Sequence, residues 1–159
     1  MQTFLPYPDF KDSVACLDNK RLGKQRIEVL QILVALTTGK GWIHHPATKM
    51  WKGCENALAL YGIMACEEYL RRGFKDETRF KLMEFYDIDA PVNMPIWFGH
   101  SEFHVSHQSN LKRKYPDYYP FHVLNDLPYC WPTFMNGIWV LRFKHAGAPQ
   151  YIKSLEIQL

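Results

Sequence analysis

With 159 residues, 47% of them hydrophobic, the chain is long enough for one compact domain with its own core and too apolar to be disordered. Lys and Arg outnumber Asp and Glu by only 19 to 16, so any nucleic-acid function has to rest on a local patch and not on net charge. No apolar run approaches the roughly 18 residues of a membrane span, "MQTFLPYPDF" lacks the pattern of a secretory signal, and Cys16, Cys54, Cys66 and Cys130 form no CxxC pair, which points to reduced thiols in a cytoplasmic protein.

Asp12 and Ser13 are N-cap candidates for a first long helix, whose apolar periodicity runs through Leu36. "TTGKG" stops it, with Gly39 and Gly41 as C-cap or turn residues. Pro46 stands near the next helix start, and the pattern is helical from about Ala47 to Arg72, until Gly73. A short helix is expected over 76–86, followed by the irregular connector "DAPVNMPIW". "SEFHVSHQSNLKRK" reads as a third long helix, stopped at Tyr115-Pro116. The rest is rich in proline and aromatic residues. There "GIWVLRF" looks strand-like, and only "QTFLPY" offers it a partner. The fold class this predicts is all-α: a single domain over 1–159, with about three main helices and an aromatic, proline-rich C-terminal segment.

Plotted at 100° per residue, the first helix has a polar face of Lys20, Arg21, Lys24, Gln25, Glu28 and Gln31. The opposite arc holds Leu22, Ile27, Val29, Leu30, Leu33 and Val34. Asn19, Gly23 and Arg26 fall inside the apolar arc as one stripe spaced i, i+4, i+7. Burying a guanidinium without a partner costs several kcal/mol, and a mid-helix glycine costs about 1 kcal/mol against alanine. Two explanations stay open. The stripe is a floor that something polar approaches closely, or Arg26 pairs with a core carboxylate and Gly23 admits another helix.

Other candidate side chains cluster in two places. His44 and His45 precede a helix start, where backbone N–H groups favour an anion. His100, His104 and His107 are spaced for one helical face, which permits a zinc site, although no HExxH pattern accompanies them. Asn110, Lys112, Arg113 and Lys114 form a second basic cluster, followed by Tyr115, Tyr118 and Tyr119. Cations beside rings suit a phosphate backbone and unstacked bases. They also suit a solvated helix C-terminus.

Taken in order, "CLDNKRLGKQRIEV", "GWIHHP", "ALYGIMACEEYLRRGFKDE" and "SHQSNLKRKYPDYY" make the chain resemble the pyrimidine-dimer DNA glycosylases of the phage endonuclease V type. The resemblance covers about residues 1–121 and leaves 122–159 uncovered. It implies a compact all-α body, acting as a monomer and without a cofactor, that binds double-stranded DNA and flips out a base. An N-terminal amine then displaces the damaged base, and β-elimination through a Schiff base can follow. An α-amine, with a pKa near 8 against about 10.4 for lysine, keeps more of its neutral form at pH 7.

On this resemblance Arg26 matches a family active-site arginine, and Met1 or Lys20 supplies the nucleophile. His45 or His107 carries protons. Asn19, Arg21, Lys24, Gln25, His44, Asn110, Lys112, Arg113 and Lys114 contact DNA. The chain departs from the family pattern at Gln2, where a small residue is usual, and at Gly23, which fills the slot of the catalytic glutamate. Two other classes remain: a non-catalytic nucleic-acid-binding protein of the same fold, and a metal- or nucleotide-dependent enzyme built on the His-rich helix.

Overall fold

The computed structural model describes all 159 residues and divides into two compact units. The first comprises Met1–Phe4 and Asp9–Pro95, the second Leu5–Pro8 and Ile96–Leu159.

The first unit is helical: α1 (Phe10–Cys16), α2 (Asn19–Thr38), α3 (Pro46–Lys49), α4 (Glu55–Arg71) and α5 (Thr78–Met83). Where periodicity predicted one long helix entering at Asp12–Ser13, two aspartates start two helices. Asp9 caps α1 by accepting from the Asp12 N–H. Asp18 caps α2, accepting from Lys20 N at 3.0 Å and Arg21 N at 3.1 Å. Each carboxylate satisfies first-turn donors that have no partner inside the helix. α2 ends where expected, at Gly39, which adopts the left-handed φ of 69°. The helical stretch expected over 47–72 is interrupted by a turn at 50–54 between α3 and α4.

The buried face of α2 consists of Leu22, Gln25, Val29, Ile32, Leu33 and Ala35. It is rotated from the predicted arc. Ile27 and Val34 stay exposed at 43% and 41%, while Gln25 turns inward. α4 packs on α2, α1 and α5. At Gly62 it leaves no room for a side chain: a Cβ would lie 2.6 Å from Val29 Cγ1 and 3.0 Å from Leu82 Cδ1. The helix then closes with a Schellman motif: Gly73 N–H donates to Leu70 O at 2.8 Å and Phe74 N–H to Tyr69 O at 3.3 Å. The hydrophobic contact of that motif is a ring stack of Phe74 on Tyr69, with centroids 4.5 Å apart.

The second unit overturns the all-α expectation. After α6 (Ser101–Lys114) it carries a three-stranded antiparallel sheet, β1 (Tyr129–Met135), β2 (Ile138–Lys144) and β3 (Ile157–Gln158), in the order β1-β2-β3. The protein is a mixed helix-and-sheet fold. The partner of β2 is β1, in register from Tyr129–Lys144 to Met135–Ile138, and not "QTFLPY", which forms no strand. Asn136 and Gly137, with φ of 52° and 82°, make the tight turn between them. Pro132 inside β1 argues against a strand, but β1 is an edge strand, where a missing N–H need not break a ladder. α6 braces that edge: Ser106 Oγ donates to Pro128 O and accepts from Cys130 N, both at 2.8 Å. Trp97, Phe103, Leu111, Cys130 and Leu141 fill the core of this unit. No helix of the chain is long and apolar enough to cross a membrane.

The two helical glycines respond in opposite directions to one added methyl. Gly62→Ala is expected to cost about 1–3 kcal/mol of stability through overpacking against Val29 and Leu82. Gly23→Ala, whose Cβ would meet Tyr69 Cε2 at an ordinary 3.4 Å, is expected to gain up to about 1 kcal/mol of helix propensity. Urea unfolding of the two variants checks both signs.

Candidate active site and nucleic-acid face

In the first unit the N-terminal residues are bound to α2 by one buried amide. Gln25, 1% exposed, accepts at Oε1 from the Phe4 N–H at 2.8 Å and lies within 2.8 Å of the Tyr61 hydroxyl. Its Nε2 donates to Gln2 O at 2.8 Å and approaches Glu28 Oε2 at 3.4 Å. Trp51 Nε1–H donates to Thr3 Oγ1 at 3.0 Å. The consequence lies one residue upstream: the Gln2 backbone N–H donates to Glu28 Oε2 at 3.1 Å. A carboxylate therefore stands beside the chain's first peptide bond. Sequence reasoning placed Glu28 on the outer face, away from the stripe, and carried no signal that the N-terminus folds back onto that face. Gln25, expected at the DNA, instead spends its hydrogen bonds on the chain itself.

The polar stripe of α2 is occupied by α4 and the segment that follows it. Arg26 pairs with Asp76, whose side chain is fully buried, and its guanidinium lies 3.8 Å from the centroid of the Tyr69 ring. Asp76 also accepts from Thr78 N at 3.2 Å and Arg79 N at 2.9 Å, holding the start of α5. Gly23 faces the Tyr69 ring, which lies at ordinary contact distance from where a Cβ would stand. Asn19 Oδ1 accepts from Arg72 Nη1 at 3.0 Å, and Arg72 also donates to Leu17 O at 2.6 Å and Ala15 O at 2.8 Å. Of the two explanations for the stripe, the geometry is that of a core carboxylate and a close neighbour.

The remaining cations of this unit divide by their partners. Arg21 Nη1 is held by Asp18 Oδ2 at 2.8 Å. Lys20 and Lys24 are exposed on α2, and His44 is exposed in the loop before α3. His45 is the N-cap of α3, its Nδ1 accepting from the Ala47 N–H at 3.1 Å.

In the second unit, two histidines of α6 hold the backbone N–H and C=O of one residue, Leu5. The Leu5 N–H donates to His107 Nδ1 at 2.9 Å, and Leu5 O lies 2.8 Å from His104 Nδ1, which must carry the proton there. His104 Nε2 accepts from Gly99 N at 3.0 Å. Burial pushes the His107 imidazole down to about 3, and burial lowers His104 as well. His107, expected as a proton carrier, is thus fully buried and neutral at physiological pH. No group of three or more His, Cys, Asp or Glu side chains is arranged to hold a metal ion. Asn110 is also buried, donating to Ser106 O at 2.7 Å and accepting from Arg113. Lys112 Nζ donates to Val123 O at 2.9 Å, and Arg113 Nη1 reaches Asn125 O and Leu127 O at 3.3 Å. Two of the three cations of this cluster thus pin the 123–127 loop, while Lys114 is exposed.

The family model for pyrimidine dimer DNA glycosylases matches residues 1–82, just over half of the 159-residue chain. The match takes in α1 to α4 and nearly all of α5, ending well before the 121 expected from the quoted stretches. No curated protein and no solved structure matches the chain.

The buried imidazole predicts an acid response. An unfolded histidine titrates near 6.5, whereas His107 does so at about 3. Between those values the unfolded chain binds a proton that the folded chain refuses. The stabilisation is full above pH 6.5 and is lost as pH falls toward 3. His107→Asn keeps an acceptor for Leu5 N–H without titrating. Its stability should fall less than that of the parent between pH 6.5 and 4, by roughly 3 kcal/mol at 1.36 kcal/mol per unit. Parallel pH profiles in urea unfolding would contradict the assignment.

Proposed function

We propose that this chain, which belongs to the pyrimidine dimer DNA glycosylase family, excises a damaged base from duplex DNA with its N-terminal amine acting beside the Glu28 carboxylate. Membership places the protein in DNA repair of the glycosylase type. The observation that carries the finer reading is the hydrogen bond from the Gln2 N–H to Glu28 Oε2 at 3.1 Å. It sets the α-amine of Met1 one residue from a carboxylate, on a segment held rigidly by Gln25 and Tyr61.

The chemistry then needs few parts. The neutral amine attacks C1′ of the damaged nucleotide, a C–N bond forms, and the bond to the base breaks with its electron pair leaving on the base. Opening of the sugar gives a protonated Schiff base. Removal of a C2′ proton by a carboxylate then expels the 3′ phosphate, which is the lyase step. Glu28 suits both the developing positive charge at C1′ and the proton at C2′. The target has to leave the base stack for any of this, at a cost of a few kcal/mol. Lys20 and Lys24 provide phosphate contacts on the same helix. In this reading the Arg26–Asp76 pair supports the site by fixing α2 against the start of α5, and His45 works as the cap of α3 in the loop beyond α2. The protein acts as a monomer in the cytoplasm.

Borohydride trapping tests the proposal. Duplexes carrying an abasic site or a cyclobutane pyrimidine dimer should yield a covalent adduct that maps to the N-terminal peptide. Glu28→Gln, which keeps an acceptor for Gln2 N–H, should slow single-turnover cleavage by about 10²-fold or more while leaving binding intact. An adduct on Lys20, or binding with no adduct at all, would refute it. Binding with no adduct would instead favour a non-catalytic DNA-binding protein. Separately, Lys20→Ala and Lys24→Ala should each reduce the log–log salt slope of duplex binding by about 0.9.

A further inference from the structure

Trp42 takes no part in the proposed excision chemistry. It is 57% exposed, while Trp51 and Trp97 are fully buried and Trp131 is 7% exposed. The ring is not on a loose tail. Gly39 and Gly41, with φ of 69° and 74°, fold the loop that carries it. The His45 N–H donates to Trp42 O at 3.0 Å, and the His45 ring meets the indole at 88° with centroids 6.0 Å apart. His45 is itself locked as the cap of α3. The indole is thus presented to water by a fixed turn.

The sequence stretch that carries it has one sign of charge. No Asp or Glu occurs between Glu28 and Glu55. That stretch carries Lys40, Lys49, Lys52 and His44, all exposed. The carboxylates at its two ends are engaged within the chain, Glu28 with Gln2 N and Glu55 with Gly53 N. A planar ring at the solvent, in a stretch of chain whose exposed charged residues are all cationic, has the composition that binds bases by stacking and phosphates by charge.

We infer that Trp42 stacks on a base of the duplex left unstacked when the target nucleotide is extruded, while Lys40, Lys49 and Lys52 hold the flanking phosphates. The inference rests on the duplex-binding part of the proposed function and not on its amine chemistry. An apolar ring rewards a gap in the base stack and gains little from an intact one. Trp42 therefore discriminates damaged from undamaged DNA.

The test compares two duplexes of one sequence, one intact and one with a single abasic site, binding to full-length protein. Trp42→Leu should weaken binding to the abasic duplex by about tenfold and to the intact duplex by less than about twofold, with an unchanged salt slope. Trp42→Phe should recover most of the loss. The melting temperature of both variants should match the parent, because the side chain is exposed. Abasic DNA should also shield the parent's fluorescence from acrylamide, and this shielding should vanish in Trp42→Leu. Equal affinities of parent and Trp42→Leu, with borohydride trapping intact, overturn the inference alone. Failure of the parent to bind either duplex overturns it together with the proposed function. Shielding by phosphatidylglycerol vesicles and not by DNA overturns it in favour of a membrane surface.

Discussion

The buried Gln25 amide is the constraint on which the first unit's chemistry depends. A carboxamide offers an acceptor oxygen and a two-donor nitrogen. Gln25 aims the oxygen at Phe4 N–H and Tyr61 OH, and the nitrogen at Gln2 O and Glu28. Two backbone groups of the N-terminal segment would otherwise be buried without partners, at roughly 1–3 kcal/mol each. This side chain, with Trp51, Tyr61 and Glu28, holds the segment along α2. With the segment in place, the first peptide N–H has Glu28 in front of it. An apolar residue at position 25 would strip Phe4 N–H and Gln2 O of these partners and leave the segment to Trp51, Tyr61 and Glu28 alone.

A second layer of polar contacts fixes the helices around that site. Arg72, Asp76 and Arg26 each tie together elements distant in sequence. Arg72 reaches the end of α1 through Ala15 O and Leu17 O, and the start of α2 through Asn19. Its own position is set by Glu68, which also receives Arg71. Hydrogen bonding from Arg71 keeps the Glu68 carboxyl below the usual range, against the opposing effect of burial. Charged groups in such networks are expensive to leave unpaired and specify one arrangement of neighbours. The cations that crowd the first turns of α2 therefore serve two ends. Arg21 and Arg26 are structural, and Lys20 and Lys24 face water.

The same division runs through the second unit. Lys112 and Arg113, read from sequence as a phosphate cluster, hold backbone carbonyls of the 123–127 loop. His104 and His107, read as ligands or proton carriers, divide the backbone donor and acceptor of a single residue, Leu5, between them. The first imidazole holds its proton on Nδ1 and the second keeps Nδ1 bare. The two backbone groups of Leu5 thereby dictate opposite tautomers on neighbouring turns of one helix.

Local signals were legible wherever physics acts over a few residues. The stop of α2 at Gly39, the proline near the start of α3 and the bounds of α6 were all readable from caps, glycines and prolines. The order of the short stretches was enough to identify the family. The hairpin was missed, although the Asn136-Gly137 turn is a signal for it, and Pro132 speaks against β1 because a proline's tolerance depends on whether the strand lies at an edge. What the tertiary structure alone decided was the partner of each polar side chain. Helical periodicity places Gln25 and Glu28 on one outward face and Arg26 on an inward one. Which face is inward, however, is set by whatever packs against it, and here the chain's first four residues cover Gln25 and Glu28. A wheel registers angles around one axis. Whether an arginine meets DNA or Asp76, 50 residues further on, is settled by contacts that no local spacing encodes.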